Sequence, residues 1–246
     1  MVGGATISGT VNNSKGSKKE PSKRGVCLKV NLKVQLTRAF FISLLSAIGF
    51  GIVALLVSDQ KINQFDSVIT SLVQGREAPA LTNIMRFFTF IGGGIPVVVL
   101  TIIVLFFLYQ VLHHRRELIL FASVVVGSAL LNETLKVIFH RARPTLHRIV
   151  SANGFSFPSG HSMAAFSLYG ILAYLLWRHI STPVGRGLLI IISITMITAI
   201  GVSRIYLGVH YPSDVLGGFL ASGSWLTVSI WFYQRYLEKR KTEGFS

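Results

Sequence analysis

Six long apolar stretches dominate this sequence, at residues 39–57, 90–112, 118–139, 162–177, 187–207 and 215–233. Each approaches the ~20 residues that an α-helix needs to cross ~30 Å of hydrocarbon. Of the 246 residues, 51% are hydrophobic and only 13% are charged, too few to cover the surface of a soluble domain of this length. The pattern therefore predicts an all-α membrane protein, with six transmembrane helices packed in an antiparallel bundle.

The segments outside these stretches predict two further features. Residues 1–25 are rich in Gly, Ser, Lys and Asn, a composition that cannot bury enough surface to fold. We expect them to form a disordered basic tail, which leaves residues 26–246 as the membrane domain. Residues 59–88, between the first two stretches, mix charged positions with apolar ones such as Phe65, Ile69 and Leu72. This mixture predicts a short amphipathic helix lying at the membrane interface.

The distribution of basic residues predicts the orientation of the chain in the membrane. Its net charge of +15 would suggest nucleic acid as the partner of a soluble protein, but many Lys and Arg residues flank apolar stretches. With a cytoplasmic amino terminus, 16 of the 24 Lys and Arg residues fall on the cytoplasmic side. We therefore expect both termini in the cytoplasm and no nucleic-acid partner. A single cysteine, Cys27, excludes a disulfide framework or a Cys-rich metal site within one chain.

Three short polar segments lie at ends of these stretches, and the span count places all three at the same outer face of the membrane. They read K-x6-R-P at 136–144, P-S-G-H at 158–161 and S-R-x5-H-x3-D at 203–214. Although they are far apart in sequence, helices that end at one face of a bundle bring their ends together. We expect the three segments to form one site.

The residue types in these segments are those that bind an oxyanion carrying several negative charges. The site would combine three cations, two imidazoles and one carboxylate, namely Lys136, Arg143, Arg204, His161, His210 and Asp214. Phosphate fits this inventory best. At the start of a helix, Gly160 lets backbone N–H groups approach an anion, and the Ser159 hydroxyl adds a donor.

The spacing of His210 and Asp214 predicts an oriented imidazole. Residues four apart lie on the same face of a helix, so the carboxylate can hold one ring nitrogen and leave the other aimed at phosphorus. With an ordinary pKa of about 6.5, one imidazole can act as a nucleophile and another as an acid near neutral pH.

These three segments resemble the three-part signature of the type 2 phosphatidic acid phosphatase superfamily, also called the lipid phosphate phosphatase family. All eight signature positions match, in order, across residues 136–214. The resemblance implies a metal-independent phosphatase of the cell membrane without a cofactor. Bacterial members act on phosphatidylglycerol phosphate or undecaprenyl pyrophosphate, and phosphatidate is a third substrate that the family admits.

The resemblance also implies a role for each matched residue. His210 would attack phosphorus and form a phosphohistidine, Asp214 would orient it, and His161 would protonate the leaving oxygen. The phosphoryl oxygens would be bound by Lys136, Arg143, Ser159, Gly160 and Arg204. The active site would lie on the extracytoplasmic face of the plasma membrane, where a lipid substrate enters sideways from the bilayer.

Several ionisable residues near the motifs receive a different interpretation. We expect Arg86, Arg141 and Arg148 to anchor the protein at lipid headgroups, as basic residues at a membrane surface commonly do. Glu133 lies inside an apolar stretch, where an ionised carboxylate is normally paired. Its expected partner is Lys136, one helical turn away, and its expected role is to support the site rather than to contact substrate.

Two alternatives to a lipid phosphatase remain open from the sequence. One is a protein that binds or translocates a lipid phosphate without turnover, although binding alone would require only the cations. The other is haloperoxidase chemistry on bound vanadate, which the resemblance disfavours because those relatives are soluble enzymes. The sequence leaves the oligomeric state open.

Overall fold

A computed structural model describes residues 23–111, 115–145 and 147–243, and in these residues all regular structure is helical. The elements are α1 (Lys23–Ser58), α2 (Asn63–Gln74), α3 (Pro79–Ile91), α4 (Gly94–Phe106) with a π-helical turn (Phe107–Val111), α5 (Arg115–Phe139), α6 (Gly160–Trp177), α7 (Pro183–Tyr206) and α8 (Pro212–Glu243). The expected all-α class is therefore confirmed.

The chain divides into two compact units, Met1–Gln35 and Leu36–Ser246. Within the described residues, the first unit contains only the beginning of α1, whose first residue is Lys23. The expected disordered tail at 1–25 lies outside the described residues, apart from its last three positions. Every feature that follows belongs to the second unit.

Among the described residues, four helical segments are long and apolar enough to cross a membrane: Thr37–Ser58, Arg116–Phe139, Pro183–Tyr206 and Pro212–Arg240. A fifth span is obtained if α3 and α4 count as one, since they meet at a bend of 49°. Six spans are therefore not confirmed. The fourth apolar stretch, 162–177, forms the 18-residue helix α6, which falls outside this count.

Helix α6 lies at the centre of the bundle, where it packs against α5, α7 and α8. Leu168 and Ile171 on α6 are fully buried with Phe121 and Val124 of α5 in the main hydrophobic cluster. A helix enclosed by other helices does not need an apolar surface facing lipid on every side. Small and polar residues can therefore occupy α6, which lowers its overall hydropathy.

Residues 59–88, expected to form one interfacial helix, instead contain α2 and most of α3, separated by a turn at 75–78. Val73 of α2 and Leu81 and Met85 of α3 pack against the buried cluster at the carboxyl end of α7, whereas other apolar side chains of the pair, such as Phe65 and Phe87, are exposed. There the Tyr206 hydroxyl lies 2.8 Å from Thr82 Oγ1, and it accepts a hydrogen bond from the Ala78 amide at 3.2 Å. The two helices thus form a cover over one end of the bundle.

Four helix ends meet beneath this cover, and they define the position of the site. They are the carboxyl ends of α5 and α7 and the amino ends of α6 and α8. The Ser159 amide, just before α6, donates to the Asp214 carbonyl of α8 at 3.0 Å. On α5, the Asn132 side chain donates to the Pro158 carbonyl at 3.1 Å. The three polar segments of the sequence are therefore brought together, as predicted.

Candidate active site

The turn between α7 and α8 places His210. At its tip, Gly208 has a φ of +72°, a backbone conformation that favours glycine, and a Cβ there would lie 2.2 Å from the His147 carbonyl. The Val209 and His210 amides both donate to the Arg204 carbonyl, at 3.2 and 3.3 Å. This compact turn directs the His210 ring into the protein, where the residue is only 3% exposed.

Asp214 holds His210 from the first turn of α8. Its Oδ2 lies 3.3 Å from His210 Nδ1, at the separation of four residues that the sequence predicted. The Tyr211 amide donates to the same oxygen at 2.8 Å, and the Ser156 hydroxyl also donates to it. Asp214 is fully buried, so these donors replace the water that an ionised carboxylate would otherwise require.

Arg143 determines which ring nitrogen of His210 carries the proton. Its Nη1 lies 3.0 Å from His210 Nε2, and a guanidinium can only donate hydrogen bonds. Nε2 must therefore be the unprotonated nitrogen, which leaves the proton on Nδ1, facing Asp214. Arg143 is itself held by the carbonyls of Val209 at 2.9 Å and Gly154 at 3.0 Å. His210 thus presents the lone pair of Nε2 to the Arg143 guanidinium.

The electrostatic surroundings keep His210 neutral. Burial lowers the pKa of His210 to about 4, and the charges of Arg143 and Arg204 act in the same direction. The hydrogen bond and the charge of Asp214 oppose this shift but do not outweigh it. Burial also lowers the pKa of Arg143 below its ordinary value. At neutral pH the ring is an imidazole and can act as a nucleophile.

Arg204 and Lys136 supply two further cations. The Arg204 guanidinium donates through Nη1 to the Thr89 hydroxyl on α3, and its Nε is buried without a hydrogen-bond partner among the described residues. A buried unpaired donor is costly unless a ligand satisfies it. Lys136 donates to Glu133 Oε1 at 3.0 Å, so the expected pairing is present. The Glu133 side chain is 72% exposed.

The amino end of α6 carries the second motif. The Ser159 hydroxyl caps the helix by accepting from the Ser162 amide at 3.4 Å and from the Ser162 hydroxyl at 2.9 Å. Its own proton stays available for a donor role. A Cβ at Gly160 would lie 2.9 Å from Asn132 Oδ1 and 3.6 Å from Lys136 Nζ, so glycine permits this close approach.

His161 lies between the four helix ends and the bend that joins α3 to α4. Its Nε2 is 3.8 Å from the position that a Cβ on Gly93 would occupy. Burial lowers the pKa of His161 to about 3, and the charges of Arg204, His210, Arg143 and Lys136 act in the same direction. The second imidazole therefore shares one basic pocket with the first.

Three residues that contact the signature residues were not predicted from the sequence as part of the site: Arg141, Ser156 and Thr89. A fourth, Asp66, contacts Arg141. The expectation that Arg141 anchors the protein at lipid headgroups is wrong, because its side chain is only 14% exposed and forms two ion pairs. Its position inside the first motif was the available signal. Asp66 was an isolated carboxylate on an amphipathic segment, and no sequence pattern linked it to the motifs.

The cations, the imidazoles and Asp214 together form a pocket suited to an oxyanion. Within the residues that the structure describes, no group of three or more His, Cys, Asp or Glu side chains could hold a metal ion. Lys136, Arg143 and Arg204 instead supply the positive charge. A tetrahedral oxyanion could replace the bond between Arg143 and His210 and satisfy the unpaired Nε of Arg204.

Comparisons with known proteins point in the same direction. The family model described as PAP2 superfamily matches residues 116–238, half of the chain. The chain is 32% identical over 174 residues to phosphatidylglycerophosphatase B of Bacillus subtilis, with 69% of this chain and 84% of the relative covered. It is 41% identical over 66 residues to a putative undecaprenyl-diphosphatase of Escherichia coli, with 27% of this chain and 29% of the relative covered.

A solved structure also matches the fold. It is the first transmembrane PAP2 type phosphatidylglycerolphosphate phosphatase from Bacillus subtilis, with a TM-score of 0.69 and 30% identity. The superposition covers 81% of this chain and 97% of that one. The similarity therefore extends well beyond the three motifs.

Proposed function

This chain belongs to the PAP2 superfamily, and from that premise we propose that it hydrolyses the phosphomonoester or pyrophosphate of a membrane lipid. Family membership confirms the resemblance inferred from the three motifs. With several apolar helices, the chain is a multi-pass membrane protein. A phosphate pocket at one end of such a bundle suits a substrate that the bilayer itself delivers.

The observation that carries the proposal is the position of the His210 ring between Arg143 and Asp214. Arg143 forces Nε2 to be unprotonated while Asp214 retains the proton on Nδ1, so the lone pair that a nucleophile needs already faces the basic pocket. A protein that only binds phosphate would need the cations but not an imidazole held in this tautomer.

In the proposed reaction, the lone pair of His210 Nε2 forms a bond to phosphorus while the bond from phosphorus to the lipid oxygen breaks. The negative charge of the bound phosphate offsets the nearby cations, so His161 can take up a proton, which it transfers to the departing oxygen. The phosphohistidine is then hydrolysed by water, whose proton passes back to His161 and whose oxygen bonds to phosphorus. Inorganic phosphate leaves, and His210 regains its free lone pair.

Positive charge stabilises the transition state of both steps. Arg143, Arg204 and Lys136 bind the equatorial phosphoryl oxygens, with the Ser159 hydroxyl and the Gly160 amide as further donors. When phosphate binds, Lys136 exchanges its contact with Glu133 for one with the substrate, so Glu133 supports the unliganded site. These donors do the work that a metal ion does in other phosphatases, so the proposed enzyme is metal-independent.

Three substrates are compatible with this pocket: phosphatidylglycerol phosphate, undecaprenyl pyrophosphate and phosphatidate. The names of the two relatives above favour the first two, because those relatives are named for a phosphatidylglycerophosphate and an undecaprenyl diphosphate. Equal concentrations of all three lipids should be offered together to the purified chain, and each dephosphorylated product quantified. We expect one product to predominate over the others.

The competing hypothesis is a protein that binds or translocates lipid phosphates without hydrolysing them. It would be favoured if the chain bound all three lipids and released no phosphate from any of them. Arg178→Gln, assayed in parallel, is the control for activity lost during purification. Arg178 pairs with Glu117 near the carboxyl end of α6 and the amino end of α5, away from the pocket.

We further propose that the protein resides in the plasma membrane, with its pocket extracytoplasmic and both termini cytoplasmic. Single-cysteine variants in a Cys27→Ser background test this orientation. Gln60→Cys, just after α1, should react with a membrane-impermeant maleimide in intact cells, whereas Arg240→Cys near the end of α8 should react only after permeabilisation. The reverse pattern would place the pocket in the cytoplasm.

A further inference from the structure

A buried chain of charges connects α2 to the proposed nucleophile. Arg141 Nη1 donates to Asp214 Oδ1 at 2.7 Å, and its Nη2 donates to Asp66 Oδ2 at 2.7 Å. Both carboxylates are buried, and the guanidinium lies 4.3 Å above the Tyr211 ring. Asp66 lies outside the three motifs, Arg141 occupies one of the unspecified positions of the first motif, and the reaction described above uses neither residue.

Asp66 is fixed independently at the amino end of α8. Its Oδ1 accepts from the Ser213 amide at 2.8 Å, and its Oδ2 accepts from the Ser213 hydroxyl at 2.7 Å. The Ser213 hydroxyl lies in turn 2.7 Å from Arg141 Nη1. Both oxygens of the Asp66 carboxylate therefore accept hydrogen bonds from Arg141 or from the start of α8, and the residue is buried.

The two oxygens of Asp214 are divided between different partners. Oδ1 is bound by Arg141, whereas Oδ2 faces His210, with the Ser156 hydroxyl and the Tyr211 amide as further donors. Arg141 thus orients the carboxylate toward the imidazole. Alone, however, it would also cancel the negative charge that stabilises a cationic, phosphorylated His210. Asp66 neutralises Arg141, so the three groups together keep one net negative charge.

We propose that Asp66 and Arg141 are positioning residues for the phosphatase reaction: Arg141 orients Asp214, and Asp66 offsets the charge of Arg141 so that Asp214 remains an effective partner of His210. This inference rests on the proposed function. It concerns groups that act through Asp214 and do not touch substrate, so it affects turnover more than binding.

The charges that face His210 are distributed over several elements. Asp214 of α8 is the only carboxylate that contacts it in the described part of the chain, while the cations and the second imidazole are Arg143, Arg204 and His161. Asp214 is therefore the one described carboxylate that can offset the positive charges around His210. A change in the net charge of Asp66 and Arg141 beside Asp214 should consequently shift the titration of His210.

Three variants change this balance without large changes in side-chain size. Asp66→Asn makes the cluster neutral, Arg141→Gln gives it two negative charges, and the double variant restores one. We expect Asp66→Asn to lower kcat by about tenfold, with KM changed less than about twofold because the phosphate-binding cations are untouched. The double variant should recover part of this loss. A purely structural role predicts that the double variant is no better than the worse single one.

A second measurement does not depend on turnover. In NMR spectra of the detergent-solubilised protein with labelled histidine, His210 is assigned from the signal missing in His210→Asn. We expect its titration midpoint to rise in Arg141→Gln, to fall in Asp66→Asn and to return toward wild type in the double variant. If Asp66→Asn does not fold, Arg141→Gln and the double variant still differ by one carboxylate charge and give the same test.

Asp59→Asn is the matched control, because it removes the carboxylate of an exposed ion pair with Lys61 just before α2. This inference would be overturned by coincident His210 midpoints in wild type, Asp66→Asn, Arg141→Gln and the double variant. A double variant whose kcat is as low as that of Asp66→Asn would also overturn it, and either result would leave the phosphatase proposal intact. If wild type instead releases no phosphate from any lipid, the proposed function fails, and the NMR comparison alone decides the electrostatic coupling.

Discussion

At the residue scale, the chemistry depends on how one buried imidazole is held. A histidine ring can be protonated on either nitrogen, and only a hydrogen-bond partner that cannot accept removes the ambiguity. Arg143 is such a partner for Nε2 of His210, and Asp214 takes the other nitrogen. In the proposed reaction, Nε2 of His210 is therefore oriented for attack on phosphorus before substrate arrives.

Removing the nucleophile should abolish turnover while preserving binding. We expect His210→Asn to reduce the rate of phosphate release from a lipid phosphate by at least about a thousandfold, because no other described side chain offers a lone pair in that position. Binding of the same lipid should persist, since Arg143, Arg204 and Lys136 are intact. Residual activity within tenfold of wild type would show that His210 does not attack phosphorus.

The lowered pKa of His210 predicts how stability depends on pH. The unfolded chain binds a proton to this residue below pH 6.5, whereas the folded protein binds it only near pH 4. Stability is therefore lost as pH falls from 6.5 toward 4. The melting temperature in detergent should decrease between pH 7 and pH 5, and it should decrease less in His210→Asn. Equal decreases in the two proteins would contradict the burial of a neutral His210.

The sequence predicted the residues of the site better than the contacts between them. Motif spacing identified the eight signature positions, and the i, i+4 relation of His210 and Asp214 predicted their contact. The role of Arg141 could not be predicted, because it depends on Asp66, which lies 75 residues away in sequence. In the sequence, an arginine that anchors the protein at the membrane surface cannot be distinguished from one that pairs with two buried carboxylates, because only the fold brings those carboxylates together.

At the element scale, close contacts between helices fix the positions of the motif residues. A Cβ on Gly127 of α5 would lie 2.3 Å from the Trp225 ring of α8, whose indole N–H donates to the Ser123 carbonyl at 3.2 Å. Helix α5 carries Lys136 at its carboxyl end, and α8 carries Asp214 at its amino end. The close approach of these two helices therefore supports both sides of the pocket.

A larger residue at Gly127 should separate α5 from α8. We expect Gly127→Leu to lower the melting temperature of the detergent-solubilised protein by several degrees or more, because overpacking of this kind costs roughly 1–3 kcal/mol. Gly187→Leu in α7 is the matched control, since a Cβ there meets no atom within 4 Å. An equal decrease in melting temperature in both variants would mean that the close α5–α8 contact at Gly127 is no more important for stability than an open helix position.

Hydropathy predicted the outer helices well and the inner ones less well. The stretches at 118–139, 187–207 and 215–233 correspond to α5, α7 and α8, which face outward over much of their length. Hydropathy predicted a membrane span least clearly for α6, because this central helix packs against protein instead of lipid. Residues 59–88 were expected to contain one helix, because the amphipathic pattern did not reveal the turn at 75–78 that separates α2 from α3.

At the scale of the whole molecule, the proposed metal independence rests on the positive charge of the pocket. Vanadate, which can adopt a five-coordinate shape similar to the transition state, should inhibit phosphate release strongly. EDTA should leave the rate unchanged, because Lys136, Arg143 and Arg204 supply the charge that a metal would provide. Loss of activity in EDTA with recovery on adding Mg²⁺ would contradict this account of the pocket.

The covalent intermediate gives the most direct test of the account as a whole. Purified protein should be mixed with a lipid substrate that carries ³²P in its terminal phosphate, and the reaction quenched within the first turnover. We predict protein-bound label that is stable in alkali and labile in acid, as expected for phosphohistidine, and that maps to the peptide containing His210. His210→Asn should carry no label. Rapid phosphate release by wild type without any such label would contradict attack by His210.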